Sequence, residues 1–421
     1  MNSRKIERPL VFLALVALGL VVAVAGSHIV GAFASGGDAA VNAGDNIHPL
    51  PAYLERSVGW LAEAQFENGG WGAGQHTAQQ NRDPHAVQID AATTAFAAMA
   101  LMRSGSTLTQ GPYRDNVRSA LEYLLGLVEA SDPSSPQLTS ISGTQPQAKL
   151  GQNIDVSMVA QFFSRVLPTI DGDRRQKQRV EVALDNCLRK LEMAQQGDGS
   201  WNQSGWAPVL QSAVANSALE AAARAGRKVD NEMLDRSREY QRQNVDTASG
   251  EVRTEAAAGI SLYSIASNQR ATAPEAKEAM DKIADAKARG RIEEDAAVTL
   301  ENLEKAGYTR DKAARVFESY QQNEITKRML QDERVLSGFG NNGGEEFLSY
   351  MMTSESLVVT GDQAWNDWYK RMNQLFSRVQ NANGSWSGHH CITSPVFCTA
   401  AVILTMTADR DAELLRTSAN G

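Results

Sequence analysis

Gln380-Asn-Ala-Asn-Gly384-Ser-Trp386-Ser-Gly-His389-His390-Cys391-Ile-Thr-Ser-Pro395 is the stretch on which the reading of this chain turns. Its first half is a spacing: a glutamine, a glycine four residues on, and a tryptophan two further. Gln65-Phe-Glu-Asn-Gly69-Gly-Trp71 and Gln195-Gln-Gly-Asp-Gly199-Ser-Trp201 have the same spacing. Three copies of Gln-x-x-x-Gly-x-Trp mark an internal repeat, which sets the architecture before any single element does. The second half, His389-His390-Cys391, is the densest run of possible metal ligands in the protein.

Working outward, each copy joins two unlike helical patterns. The segment before it is charged and amphipathic: residues 51–65 place Leu54, Val58, Leu61 and Ala62 on one face. The segment after it is rich in small residues, as in 86–102, where Asp90 is the only acidic group. Further pairs follow at 113–128 with 156–167, and at 175–195 with 208–223. Less distinct helices are expected at 231–243, 254–267, 274–288, 293–305 and 311–333. Four glycines between Gly338 and Gly344 break the pattern, because such a run cannot hold a helix. Helices at 345–359, 363–379 and 394–406 complete the set. Helices with one apolar face alternate with helices apolar all round, and two concentric rings satisfy that alternation. The expected fold is all-α: a closed α/α toroid of about fourteen helices in six to seven hairpins.

The N-terminus reads differently. Arg4 to Arg8 form a basic stretch, an apolar run from Leu10 to Ala25 follows, and Ala32-Phe33-Ala34 fits a small-x-small cleavage site. Residues 1–34 therefore read as a signal peptide or an N-terminal membrane anchor, 35–48 as a linker, 49–408 as the toroid and 409–421 as a frayed tail. The basic flank sends the remainder out of the cytoplasm, periplasmic or secreted, free or anchored to the inner membrane. The chain carries a net charge of −8, and residues 1–34 contribute +2, leaving −10 on the body. An acidic body without basic stripes excludes nucleic acid as a partner. Of the three cysteines, Cys187 lies on a hydrophobic helix stripe, while Cys391 and Cys398 either pair or stay reduced.

The three Gln-x-x-x-Gly-x-Trp loops resemble the QW motif of the squalene cyclase and protein prenyltransferase β-subunit superfamily, over about residues 49–406. The resemblance implies an α/α toroid. It also implies that Gln65, Gln195 and Gln380 bond backbone at the end of a neighbouring helix while Trp71, Trp201 and Trp386 pack over their loops. The chemistry does not carry over. The Asp-x-Asp-Asp acid of the cyclases is absent, as is the Asp-Asp-x-x-Asp magnesium motif. Where the prenyltransferases have a zinc-binding Asp-x-Cys, this chain has Val396-Phe397-Cys398. Lantibiotic cyclases, on a similar toroid, bind zinc through a Cys and a Cys-His pair, a loose likeness to His390-Cys391.

Short links make neighbouring helices antiparallel, so every outer-to-inner loop emerges at one end of the ring. Helix N-termini there bring partial positive charge and free N–H groups. This rim is expected to gather His76, His85 and Asp90 from the first loop and Asp155 from the second. The glycine loop adds Glu345 and Glu346, and the last loop His389, His390 and Cys391. Cys and His are preferred zinc ligands, so His389, His390 and Cys391, with Glu345 or His76, form the candidate metal set. The alternative has the histidines capping the loop and Cys391 packed under Trp386. Asp90, Glu345 and Glu346 are candidate catalytic acids if burial raises their pKa, and helix caps otherwise. His76, His85 and Asp155 are candidate ligand contacts. The functional expectation is an exported toroid binding a hydrophobic, isoprenoid- or lipid-like ligand, or a protein partner, at one rim and central cavity. Its rival is a zinc-dependent lyase or transferase built on the His389-His390-Cys391 loop.

Overall fold

Alternation of partly and wholly buried helices is what the computed structural model shows. It describes residues 47–417 except 202, 203, 341 and 362, and all of these belong to the unit Ala40–Gly421. The N-terminal apolar segment and its small-residue site lie outside the described residues. Six helices bury one face: α1 (Ala52–Glu63), α3 (Arg114–Ala130), α5 (Arg174–Ala194), α7 (Asn231–Arg242), α9 (Arg310–Met329) and α11 (Gln363–Val379). Between them run α2 (Ala91–Arg103), α4 (Ile154–Val166), α6 (Pro208–Arg224), α8 (Ser261–Ala288), α10 (Gly344–Thr360) and α12 (Pro395–Met406). Every residue of α2, α10 and α12 is buried, a state that their Ala, Ser, Thr and aliphatic content allows.

The protein is all-α. Packing runs from α2 to α4, α6, α8, α10 and α12, and α12 packs back on α2. The outer helix α1 touches both α2 and α12, so the circuit of contacts returns to its starting hairpin. No helix of the described residues is long and apolar enough to cross a membrane.

The three repeats are built alike. Each glutamine Nε2 donates to the carbonyl of its own loop glycine and to a carbonyl at the start of the next outer helix. These second acceptors are Asn116 at 3.0 Å from Gln65, Met233 at 2.9 Å from Gln195 and Tyr53 at 3.1 Å from Gln380. Each indole N–H donates ten residues back, to Leu61, Leu191 or Phe376, at 2.8–3.0 Å. The tryptophan backbone N–H is taken by a hydroxyl of the following inner helix, Thr94, Ser212 or Thr399. The glycine between them has φ +89, +87 or +91, a region that penalises a side chain. Gln380 joins the last outer helix to the first, which makes it the seam of the ring.

Two expectations about helices fail. The segments 254–267 and 274–288 are one helix, α8, 28 residues long, with Pro274 inside it. Proline removes one helical hydrogen bond, but packing of α8 on α9 and α10 outweighs that loss. The hairpins therefore number six. The distal part of α8 leaves the ring and, with Leu300–Lys305 and α9, encloses a second core of Ala279, Ile283, Leu303, Ala313 and Val316. The helix expected over 293–305 shrinks to Leu300–Lys305.

The bore is filled with charge at the C-terminal ends of the inner helices. Arg103 of α2 meets Glu355 of α10 at 2.7 Å, across the intervening α12. Arg270 of α8 holds Glu355 at 3.0 Å and Glu220 of α6 at 3.1 Å. Glu220 also accepts from Arg224 at 3.1 Å and Arg238 at 3.2 Å. Residues 408–416 after α12 are no frayed tail, and 418–421 lie outside the described residues. The turn Ala408–Asp411 and short helix Ala412–Arg416 pack on α10, and buried Asp411 takes Arg103 and Arg165.

Candidate functional site

The opposite end of the ring is covered by interlocked loops. Gln145 opens a short helix, Gln145–Leu150, that carries a full capping box between Thr144 and Gln147. Its amide donates to the Ala73 carbonyl of the first loop at 2.8 Å and accepts from Thr393 and Ser394 N–H of the last loop at 2.7 and 3.1 Å. Lys149 O receives the Trp206 and Ala207 N–H groups from the third loop. Arg82 reaches the Thr393 carbonyl. The long loop 131–151, either mobile or functional by its composition, is tied down from below by Lys190. That buried ammonium donates to the carbonyls of Asp132, Ser135 and Gln137 at 2.6–3.0 Å.

Between these loops lies an open recess of about 450 Å³ lined by His76, Arg82, Lys149, His389, His390 and Cys391. Beside it stand two exposed aromatics. Trp206 and Phe339 meet edge to face at 5.4 Å, Phe339 meets the His390 ring at 4.9 Å, and the Lys149 ammonium lies 4.8 Å over Trp206. Four loops distant in sequence thus supply one aromatic and cationic face.

Glu345 and Glu346 lie beneath, both fully buried in the first turn of α10. Glu345 Oε2 accepts the Ile392 N–H at 3.2 Å, and Oε1 meets no protein donor. Burial, then the neighbouring Glu346, pushes its pKa up to about 8, so it holds its proton at neutral pH. Glu346 Oε1 accepts from Tyr263 at 2.6 Å and from the Phe339 N–H at 2.9 Å, while Oε2 faces His390 Nε2 at 3.9 Å. Cys391 lies beside Glu345; burial, then that carboxylate, raises its thiol to about 12, which keeps it protonated. Its φ is +61, shared in kind only with Ala258 among the described non-glycine residues. This strained turn lets the last loop zip onto the glycine loop, through Gly344 N–H to Ile392 O and His389 N–H to Asn342 O. A side chain at Gly343 would displace its neighbours: a Cβ would sit 2.5 Å from Glu346 Oε2 and 2.7 Å from the His390 ring.

The expected residues divide. His76, His389, His390 and Cys391 do meet at the recess, with Glu345 and Glu346 behind it. His85 does not line it; its ring is exposed and packs edge-on against Phe66 at 5.5 Å. Asp90 is a helix cap, accepting from Thr93 N–H at 2.7 Å and Ala73 N–H at 2.8 Å. Asp155 accepts from Ala92 N–H at 3.3 Å and Gln147 Nε2 at 2.7 Å. Burial lifts Asp90 to about 6; burial and then Asp90 lift Asp155 to about 7. Both serve the loops from inside rather than a ligand.

The metal set His389, His390 and Cys391 does not form. No group of three His, Cys, Asp or Glu side chains among the described residues is placed to hold a metal ion. Consecutive residues diverge: the exposed His389 turns outward, His390 faces Phe339 and Glu346, and Cys391 turns under to Glu345. Cys187, Cys391 and Cys398 are all free and buried, so the last two do not pair. Sequence reasoning missed Arg82, Gln145, Lys149, Trp206, Tyr263 and Phe339. Only the Thr144–Gln147 capping box carried a local signal, marking where the covering helix begins. In comparisons with known proteins the chain matches no family model, no curated protein and no solved structure.

Proposed function

We propose that this is an exported α/α-toroid binding protein that holds a protein partner on the face made by its outer-to-inner loops. Export rests on the basic, apolar and small-residue succession of residues 1–34. The observation that carries the binding reading is the exposed Trp206–Phe339 pair beside the recess of Arg82, Lys149, His76 and His390. Aromatics and arginine are the side chains that anchor interfaces, and exposing two large rings needs a reason beyond folding. The basic recess in an acidic body suits a carboxylate from the partner, and the aromatic pair suits an apolar side chain next to it. The isoprenoid- or lipid-like ligand suggested by the QW resemblance would use the same face.

A photocrosslinking residue in place of Phe339, compared with one in place of exposed Val182, tests this in the source cell. A discrete protein adduct from position 339 alone, lost on Lys149→Ala with His76→Ala, is the expected result. Equal labelling from both positions would overturn the reading, and a lipid adduct identified by mass spectrometry would replace protein by lipid. The enzymatic rival draws on one observation, that protonated Glu345 lies directly behind Cys391, whose residue lines the recess. Because the His389-His390-Cys391 donors do not converge, that reading is one of acid–base chemistry without zinc.

A further inference from the structure

The bore, remote from the rim, holds more positive than negative charge. Five arginines are linked through three carboxylates, Glu220, Glu355 and Asp411, into one connected network, an excess of two positive charges. Arginine cannot escape burial by losing its proton, as a lysine or histidine would. Buried charge without compensation is strongly unfavourable. Arg224 has its pKa lowered, first by burial and against the pull of Glu220, with Arg270 adding to the repulsion.

A cavity of about 50 Å³ lies at this place, walled by four arginines, Arg103, Arg165, Arg224 and Arg270, against one carboxylate, Glu355, with Gln161 and Ser217. About 10–15 Å³ suffices for one water-sized occupant, so the space admits a small ion and excludes a bulky one. The half-exposed Leu414 at its edge marks the way in. We propose that this cavity is a binding site for a small inorganic anion of the halide class, which completes the charge balance of the bore. The anion is a structural ligand that ties α2, α4, α6 and α8 together, and it acts at the end of the ring opposite the rim recess. It does not depend on the binding reading above.

Urea unfolding of the full chain at constant ionic strength, in sodium chloride against sodium gluconate, tests it. The unfolding equilibrium constant should fall in inverse proportion to one plus the ratio of chloride to its dissociation constant, by about tenfold when chloride reaches ten times that constant. Gluconate, too large to enter, should have no such effect. Arg224→Gln should weaken chloride at least about tenfold, as expected for loss of a hydrogen bond to a charged group, whereas the surface change Arg179→Gln should leave it unaltered. Independently of any variant, a bromide-soaked crystal should show its anomalous peak between Arg103, Arg224 and Arg270. Equal stability in chloride and gluconate, or bromide found only on the surface, would overturn the assignment.

Discussion

One helix carries both kinds of buried carboxylate in this protein. At the N-terminal end of α10, Glu345 is fully buried and pushed up to about 8 by burial and by Glu346. Ten residues on, Glu355 is nearly as buried, yet Arg103 and Arg270 offset its burial and hold its pKa below the usual glutamate value. Residue type, helix and depth are alike; the difference is arginine. Burial alone makes a carboxylate neutral, and burial with paired guanidinium groups makes it a fixed anion. The rim is therefore an end where protons can be held, and the bore an end where charge is locked.

The largest test removes one of the locked charges. Glu355→Gln leaves Arg103 and Arg270 facing a neutral amide in the bore. Removing one member of a buried pair costs about 3–5 kcal/mol, and urea unfolding should report a loss of that order. A loss below about 1 kcal/mol would place the bore in the class of weak, solvated surface pairs.

Next comes pH, where the two ends have opposite signs. Glu345 has a folded pKa of about 8 against an ordinary 4.5, so the folded state binds the extra proton in between. Its contribution is complete below 4.5 and is lost as pH rises through about 8. Asp90, at about 6, and Asp155, at about 7, act in the same direction from 3.8 upward. Glu220 and Asp411, both at about 2, do the reverse: their contribution is present above the ordinary carboxylate range and lost as pH falls toward about 2. Hydrogen exchange should show the rim loops opening first on the alkaline side and the ends of α6 and α10 first on the acid side. Glu345→Gln should cost about 1 kcal/mol at pH 6 and, because the wild type loses about 1.4 kcal/mol per pH unit up to about 8, become the more stable form before pH 8 is reached. Parallel curves that never cross would place Glu345 in a solvated setting.

Much of this contrast was invisible in the sequence, for a physical reason. The Gln-x-x-x-Gly-x-Trp loops were legible because the bonds that close each loop on itself follow from local spacing, ten residues back for the indole and four forward for the amide. The alternation of helices was legible because burial all round excludes long polar side chains. The bore was not: Glu220, Arg270 and Glu355 stand on three separate helices, and nothing local says that they meet. Pro274 split α8 on paper because proline usually ends a helix, while packing on both sides keeps this one going. At the rim, His389-His390-Cys391 was overread, since neighbours in an extended turn point apart. Lys149, Trp206 and Phe339 belong to different loops, and only the closed circuit brings them together.

A smaller effect tests how Glu346 is held. Tyr263→Phe removes the 2.6 Å donor to Oε1 and leaves the Phe339 N–H. A loss of about 1–3 kcal/mol is expected for an under-satisfied buried acceptor, with faster exchange at Phe339 and no change in chloride response.

The smallest effect separates polar rivets from ion pairs. Gln195→Ala deletes bonds to Gly199 O at 3.3 Å and Met233 O at 2.9 Å, and Gln380→Ala deletes the equivalent bonds to Gly384 and Tyr53. Each neutral bond contributes about 0.5–1.5 kcal/mol, so each variant should lose about 1–2 kcal/mol, equally at pH 5 and pH 8. Their consequences differ in place. Without Gln195 an interior joint loosens, and the flanking hairpins still clasp it from both sides. Without Gln380 the last hairpin is freed from the first, so exchange should accelerate along α1 and α12 together. If α1 stays protected in Gln380→Ala, the apolar contact of α1 with α12 holds the seam, and the glutamine only shapes its own loop.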